Sequence, residues 1–110
     1  MADLLDALAD ALAALQAIPN APPVLLRGVN EDPGGDEVIV LDRVASTGLQ
    51  MQGGSATTNR IQVTCYAAGV ERALDLTAQA RAALGAQRFT FIQSRPAPDG
   101  VGELADYRRG

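Results

Sequence analysis

The stretch RIQVTCYAAGVERALDLTAQARAAL, residues 60–84, decides the fold because a strand pattern leads almost directly into a helix pattern. Its first residues alternate between an apolar and a polar face, as in a half-buried strand. The apolar face holds Ile61, Val63 and Cys65, and the polar face holds Gln62, Thr64 and Tyr66. The small residues at 67–69 predict the turn. This strand–helix unit therefore predicts one sheet face covered by a helix and one face open.

The helix of this unit carries an apolar stripe at helical spacing. The stripe consists of Val70, Ala73, Leu74, Thr77, Ala80 and Leu84. We expect Leu74 to be fully packed against the sheet, and Glu71 to lie on the opposite, exposed side. Arg72 and Asp75 are three residues apart and can form a weak ion pair. Gly85 is expected to end the helix, because glycine favours the position after a last turn.

Upstream, the segment ADLLDALADALAALQAIP predicts a first helix with an apolar stripe. That stripe holds Leu4, Leu5, Leu8, Ala11, Leu12 and Leu15. Asp3 can cap the start of the helix, and Pro19 stops it. A helix docked on its own sheet is favoured over an amphipathic helix that binds a partner.

Between the two helices the sequence predicts three strands. Residues 24–29 follow two prolines and form a short strand, and residues 31–36 form a turn. The carboxylates of that turn would repel phosphate, and its spacing is not that of a calcium loop, so a solvated turn is favoured. The strand that begins at Val38 is apolar on both faces, which suggests either a central strand or one lying under a helix.

Residues 48–59 are polar and rich in glycine, serine and threonine. They predict a long hairpin arm or a mobile loop that becomes ordered on a neighbouring subunit. Leu49 and Met51 are its expected apolar contacts. After the second helix, residues 88–94 form another strand in which Phe89 and Phe91 share a face. The final segment, ELADYRRG, holds at most one short element.

These elements give the order α-β-β-β-α-β, with a possible final strand. We expect one α+β domain spanning residues 1–110, built from a mostly antiparallel sheet of four or five strands with both helices on one face. The other face would be wet or would meet another subunit. A chain of 110 residues is long enough to bury an ordinary core.

Composition excludes several functional classes. The formal charge is −4 and no stretch combines arginines with aromatics, which argues against nucleic-acid binding. Histidine is absent and Cys65 is the single cysteine, so we expect no catalytic, cofactor-binding or metal-binding residues and no enzyme activity. A buried, inert thiol is favoured over a nucleophile, because nothing nearby would lower its pKa. No signal peptide or membrane span is expected, so the chain should fold in a cytoplasm.

Residues 59–84 also resemble a known family. NRIQVTCYA, a short turn and ERALDLTAQARAAL resemble the signature region of small bacteriophage tail-completion proteins. These are the tail terminators of long-tailed phages and related gene transfer agents. The upstream helix and the hairpin strand VIVLDRVASTGLQMQGG agree in order, and Tyr107-Arg108-Arg109 matches a late YRR-like segment. Relatives continue into another strand, so either that strand is absent here or the segment before Tyr107 takes its place.

The resemblance implies a homo-oligomeric ring, usually of six subunits, that caps the tail tube, ends tail polymerisation and joins the head's connector. Its partners would be the tail tube protein and the head–tail connector protein, within a virion assembled in the host cytoplasm. The implied subunit and partner contacts are Leu49, Met51, Gln62, Thr64, Tyr66, Tyr107 and Arg108. Six copies at −4 each would give the ring a formal charge of −24, so DNA would pass through the lumen without binding.

Two other functions remain open at this point. A head-completion or connector-adaptor protein on the portal side could share both the fold class and the ring. A small-molecule-binding α+β domain could use the open sheet face as a pocket, with Tyr66 and Tyr107 as aromatic polar contacts.

Overall fold

Seven elements follow one another in the order α-β-β-β-α-β-β in this computed structural model. It describes residues 4–26, 36–51, 54–98 and 100–109, without the side chains of residues 4–6, 43–51 and 54–58. The elements are α1 (Leu4–Gln16), β1 (Val24–Leu26), β2 (Val38–Met51), β3 (Gly54–Tyr66), α2 (Val70–Ala86), β4 (Thr90–Pro96) and β5 (Gly102–Arg109). The expected α+β class is confirmed. The cap expected at Asp3, the strand residues beyond Leu26 and most of the acidic turn lie outside the described residues.

One five-stranded sheet has the order β1-β2-β3-β5-β4. The pairings β2–β3, β3–β5 and β5–β4 are antiparallel, as expected, but β1 runs parallel to β2, so the sheet is mixed. The possible final strand of the expected order is present. β5 includes Tyr107, Arg108 and Arg109 and lies between β3 and β4.

The core lies between the sheet and the two helices, which both pack on the same face. Strand alternation directs every second residue to this face. The sheet contributes Ile39, Leu41, Ile61, Val63, Cys65, Ala105 and Tyr107, and the helices contribute Ala7, Leu8, Ala11, Leu15, Leu76, Ala80 and Leu84. Burying one of these leucines contributes roughly 1.5–3 kcal/mol. Alanines on both helices let their backbones approach closely where α1 meets α2.

The buried stripe of α2 differs from the expected one. Leu74 is 49% exposed and Val70 is 64% exposed, whereas Leu76 is completely buried. The stripe that faces the core is Ala73, Leu76, Ala80 and Leu84. Leu74 and Leu76 lie about 200° apart around a helix of 3.6 residues per turn, so one sheet cannot bury both. The expectation that Leu74 is fully packed was therefore wrong.

The end of α2 was also misplaced, because the helix continues through Gly85 to Ala86. The Phe89 N–H donates to the Leu84 carbonyl at 3.1 Å, and the Arg88 N–H donates to the Gly85 carbonyl at 3.0 Å. This pair of bonds is a Schellman motif, with Arg88 at the left-handed position (φ 71°). Phe89 and Leu84 are both buried at this end, as the motif's apolar contact requires.

Ion pairs connect the helix layer to the ends of the strands. The Arg72 Nε lies 3.0 Å from the Glu37 Oε2 just before β2, and the Arg72 Nη1 lies 2.9 Å from the Asp75 Oδ2. The second of these contacts confirms the pair expected within α2. At the other end, the Arg109 Nη1 lies 3.0 Å from the Asp10 Oδ2 of α1. Such exposed pairs contribute little stability individually.

Residues 48–51 and 54–59 form paired strand rather than an irregular loop. The β2–β3 ladder runs from the Val38–Tyr66 pair to the Met51–Gly54 pair, with a register shift between Arg43 and Ala45. A strand as long as β2 spans roughly 43 Å, which accounts for most of the 50 Å longest dimension of the molecule. Of the two structures expected for this segment, the hairpin arm is the observed one.

Candidate interaction surface

The open face of the sheet is the face opposite the two described helices, and three rows of residues cross it. The register aligns residues of neighbouring strands in these rows. The apolar row holds Leu25, Val40, Thr64 and Leu104, and Arg95 of β4 adjoins it; the polar row holds Asp42, Gln62, Asp106 and Gln93; the arginine row holds Arg60 and Arg108, and Thr90 of β4 adjoins it. The first and last rows are about 13 Å apart, so three chemistries lie within a small area.

Three of the expected contact residues, Gln62, Thr64 and Tyr66, do lie on the open face. Gln62 and Tyr66 are half-buried and remain accessible, but Thr64 is only 1% exposed, between Val40 and Leu104 on the neighbouring strands. A short side chain in a central strand is covered by its larger neighbours. Thr64 can therefore shape this face but offers almost no surface to a partner.

Asp106 forms the centre of the polar row and was not identified from the sequence. It is 2% exposed, and its Oδ2 accepts hydrogen bonds from the Gln93 Nε2 and the Arg95 Nη1, both at 3.1 Å. Burial alone would raise the pKa of Asp106, but the hydrogen bonds from Gln93 and Arg95, with the Gln62 amide and the Arg95 charge, hold it below the usual value. The Oδ1 atom is buried and meets no donor among the described residues.

Tyr66 closes one end of the open face by packing against β5. A Cβ atom placed on Gly102 would lie 3.0 Å from the Tyr66 Cδ1 and 2.8 Å from the Cys65 carbonyl oxygen. Only glycine leaves room for the ring here. Tyr66 is thus held by the strand beside it and presents a fixed edge to the open face.

Tyr107 and Cys65 belong to the covered face and are buried in the core. Tyr107 is 1% exposed, so its expected role as a surface contact is wrong for this fold: it faces the helices, and Phe91 packs edge-on against it at 5.7 Å. Burial raises the pKa of both groups, that of Cys65 to about 11, even though the Thr77 hydroxyl lowers it. Cys65 therefore stays a protonated thiol, as expected.

The hairpin arm consists of residues 47–51 and 54–58, the part of β2 and β3 that extends beyond the rest of the sheet. β1 pairs with β2 at residues 39–41, and β5 pairs with β3 at residues 59–66, so the described arm is two-stranded. Leu49 pairs in register with Ala56, and Met51 with Gly54. The arm places both expected apolar contact residues, Leu49 and Met51, beyond the body of the protein.

Exposed apolar side chains lie mainly on the β4 side of the molecule. The large ones among the described residues are Val70, Leu74, Ile92 and Val101. Arg81, two turns after Leu74 on the same flank of α2, lies over the Phe91 ring of β4 at 4.1 Å. That contact shows that this flank of α2 faces the β4 edge. The last expected contact, Arg108, is exposed on the open face of β5.

A shallow groove of about 490 Å³ separates the end of α1 from the second half of α2. Its lining is mostly alanine, with Ile18, Pro19, Gln79 and Gln87 as the larger side chains. The two glutamine amides are its main polar groups, and none of the described residues that line it is titratable. The groove can hold an apolar group but offers little to bind it specifically.

Within the described residues, no group of three or more His, Cys, Asp or Glu side chains could hold a metal ion. No helix among them is long and apolar enough to span a membrane. In comparisons with known proteins, neither a family model nor a curated protein sequence matches the chain.

Proposed function

We propose that this chain is the structural subunit of a ring that caps a phage tail tube, ends tail polymerisation and offers the surface to which the head connector joins. The elements on which the resemblance to tail terminators rests lie in the expected order, and the YRR segment lies in β5. The observation that carries the proposal most directly is the hairpin arm.

The arm lacks the charges and prolines that normally keep exposed strands from associating. A two-stranded ribbon is marginally stable in water, and unpaired strand edges invite association unless charges or prolines protect them. Residues 44–59 contain neither a charged residue nor a proline, although a fifth of the chain is charged. The arm gains stability only when a partner covers it, which is the behaviour of an assembly contact.

The open face provides a second surface for assembly. It combines an apolar row, a buried carboxylate held by Arg95 and Gln93, and the paired arginines Arg60 and Arg108. Such a mixture suits a subunit contact with a polar rim rather than a deep ligand pocket. A ring of copies that each carry −4 would also repel the DNA that passes through its lumen.

The test is to replace residues 48–57 with Asn-Gly. Thr47 and Thr58 are register partners, so this two-residue turn closes the hairpin without shifting the ladder. Wild-type protein should form a ring of defined mass by native mass spectrometry and by electron microscopy, and the shortened protein should be a monomer. The shortened protein should also fail to terminate tails in an assembly reaction with tail tube protein.

A matched control changes an exposed residue far from the arm, such as Gln16→Ala on α1. It should assemble and end tails at normal length. A shortened protein that still forms rings and still caps tails would remove the arm from the mechanism. The same reaction separates the portal-side alternative, because a connector adaptor would bind the portal or connector protein and leave tail length unchanged.

One observation favours a different class of function, the binding of a small apolar ligand in the groove between α1 and α2. Its volume of about 490 Å³ lies within the range of small-molecule sites. Against it stands the lining, in which glutamine amides are the main orienting groups. Ala83→Trp, which fills the groove, should leave assembly unchanged; if it abolished function instead, the groove would become the better candidate.

A further inference from the structure

The β4 side of the molecule combines an open sheet edge with an apolar ridge. β4 is the last strand of the sheet, and no described strand pairs with its outer edge. Val70 and Leu74 lie one turn apart on the flank of α2 that faces this edge, and Ile92 lies on β4 itself. Val101 adjoins the start of α2, because its carbonyl accepts a hydrogen bond from the Ala67 N–H at 3.0 Å.

An unpaired strand beside an exposed apolar helix flank is the geometry that accepts an added strand. Backbone hydrogen bonds would join the new strand to β4, and its side chains on the helix side would pack under Leu74 and Val70. The edge is open over residues 90–94, which carry no charge, and Arg95 and Pro96 close it. An accepted strand is therefore short, about five residues long.

We propose that the outer edge of β4 accepts the hairpin arm of a second copy of this chain, with Val70 and Leu74 covering it. The inference rests on the proposed ring and names its subunit contact. The arm's strands, residues 47–51 and 54–58, match residues 90–94 in length and are likewise uncharged. Strand alternation places Leu49 and Met51 on one face of the arm. That apolar face would cover the exposed apolar flank of α2.

The chain's own arm cannot fill this site. In the sheet order, β5 lies between β3 and β4, and the arm extends away from the end of the sheet rather than across it. The register shift between Phe91 and Gln93 leaves Ile92 as a bulge on β4. A bulge increases local twist, which also keeps the pairing short.

The size of the contact decides what kind of assembly it can hold. An arm roughly 16 Å long and 10 Å wide that buries one face and one edge covers about 300 Å² on each copy. Stable pairs of proteins usually bury about 800 Å² per partner. One such contact is too small to hold a dimer, but in a closed ring every copy both donates and accepts an arm. The protein should therefore pass from monomer to complete ring with few intermediates.

Disulfide trapping tests the contact directly. Thr90 is exposed on β4 and lies on the open-face side, because it pairs in register with Arg108. Ser55 and Gln50 lie on the face of the arm opposite Leu49 and Met51, so the added strand would bring them to the same side as Thr90. The native Cys65 is buried and will not compete. The double variants Ser55→Cys/Thr90→Cys and Gln50→Cys/Thr90→Cys probe the two edges of the arm. At least one should give, on oxidation, a ladder of covalent multimers that ends at the size of the ring. The matched control, Ser55→Cys/Gln16→Cys, places the second thiol on the exposed side of α1 and should stay monomeric on a denaturing gel.

A charge on the ridge tests the role of α2. Leu74→Asp and Val70→Asp alter exposed positions, so each variant should melt like wild type when monomeric. The protein concentration needed for ring formation should rise at least tenfold. Ala82→Asp adds the same charge to an exposed position on α2 that lines the groove instead, and should assemble normally. If wild type forms rings, the aspartate variants form them equally well and neither double-cysteine variant gives covalent multimers, the β4 contact is wrong while the ring proposal stands. If wild type stays monomeric at every concentration, both fail.

Discussion

The body and the hairpin arm are two parts of the same pair of strands, yet their surroundings differ in every respect. In the body, β3 lies between β2 and β5 and one of its faces is covered by helices. In the arm, the same strand has β2 as its neighbour on one side and no described strand on the other. The difference teaches that one strand can be paired on both edges by its own chain over one half and on one edge over the other; in the ring that we propose, a second chain stabilises that other half.

The distribution of charge follows the same division. The charged residues near the body form pairs, such as Arg95 with Asp106 and Arg72 with Glu37. The stretch from residue 44 to residue 59 has no charged residue at all. Charged side chains prevent exposed strand edges from pairing with other chains, and an uncharged exposed ribbon lacks that protection. The arm is thus suited to contact and the body to independent folding.

The largest expected effect is on the body. Leu76→Ala should lower the free energy of unfolding by about 2–5 kcal/mol, because it leaves a cavity beneath α2. Leu74→Ala, two residues away and half exposed, should cost less than about 1 kcal/mol. Urea denaturation of the two variants measures the difference. Equal costs would mean that α2 is rotated from the orientation described above.

Asp106 comes second, because it is a buried charge held by a network. Asp106→Asn should cost about 1–3 kcal/mol at neutral pH, since the Arg95 and Gln93 donors lose a charged acceptor. The pKa of Asp106 is lowered from 3.8 in the folded chain. Its contribution to stability is therefore complete above pH 3.8 and is lost as the pH falls through the folded pKa.

Denaturation curves of wild type and Asp106→Asn, measured from pH 6 down to pH 2, check that sign. The difference in unfolding free energy between the two proteins should shrink as the pH falls below about 4. A difference that stays constant over this range would show that Asp106 acts through packing rather than through its charge.

A smaller, stabilising effect is expected at the end of α2. Arg88 has a φ of 71°, a conformation that costs a residue with a side chain about 1 kcal/mol more than glycine. Arg88→Gly should raise the melting temperature by a few degrees. Arg88→Ala removes the same side chain and keeps the strain, so it separates the conformational effect from any loss of charge.

The smallest effect on folding should come from the arm. Replacing residues 48–57 with Asn-Gly should change the unfolding free energy of the monomer by less than about 0.5 kcal/mol, because a two-stranded ribbon adds little stability. The measurement belongs at low protein concentration, where assembly does not add to stability. A large loss would contradict the division between body and arm, since it would show that the arm supports the fold.

Much of the body followed from alternation and helical spacing. The strand–helix unit at residues 60–84, both faces of β3, the buried thiol and the first helix could be predicted because each depends on local periodicity. The rotation of α2 could not. Leu74 and Leu76 are equally apolar, and only the sheet and the α1 contact decide which one is buried.

The site was harder to predict than the fold. Because Asp106 lies between Ala105 and Tyr107, strand alternation places it on the opposite sheet face. The sequence gives no indication of its hydrogen-bond partners. Those partners, Gln93 and Arg95, lie on the neighbouring strand, and the pairing of β4 with β5 brings them together. Tyr107 was expected at a subunit contact because it belongs to the YRR-like segment of the resemblance, whereas the register places it beside Ile61 on the core face.

The sheet order also determines how the chain can fold. β2–β3 and β4–β5 are each joined by a short connection, so both hairpins can form locally and quickly. They meet along the seam between β3 and β5, whose paired residues lie far apart in the chain because α2 and β4 intervene. We expect closing that seam to be the slow event, since distant segments lose their freedom before they gain contacts. Until it closes, the faces that later form the core remain accessible to other chains.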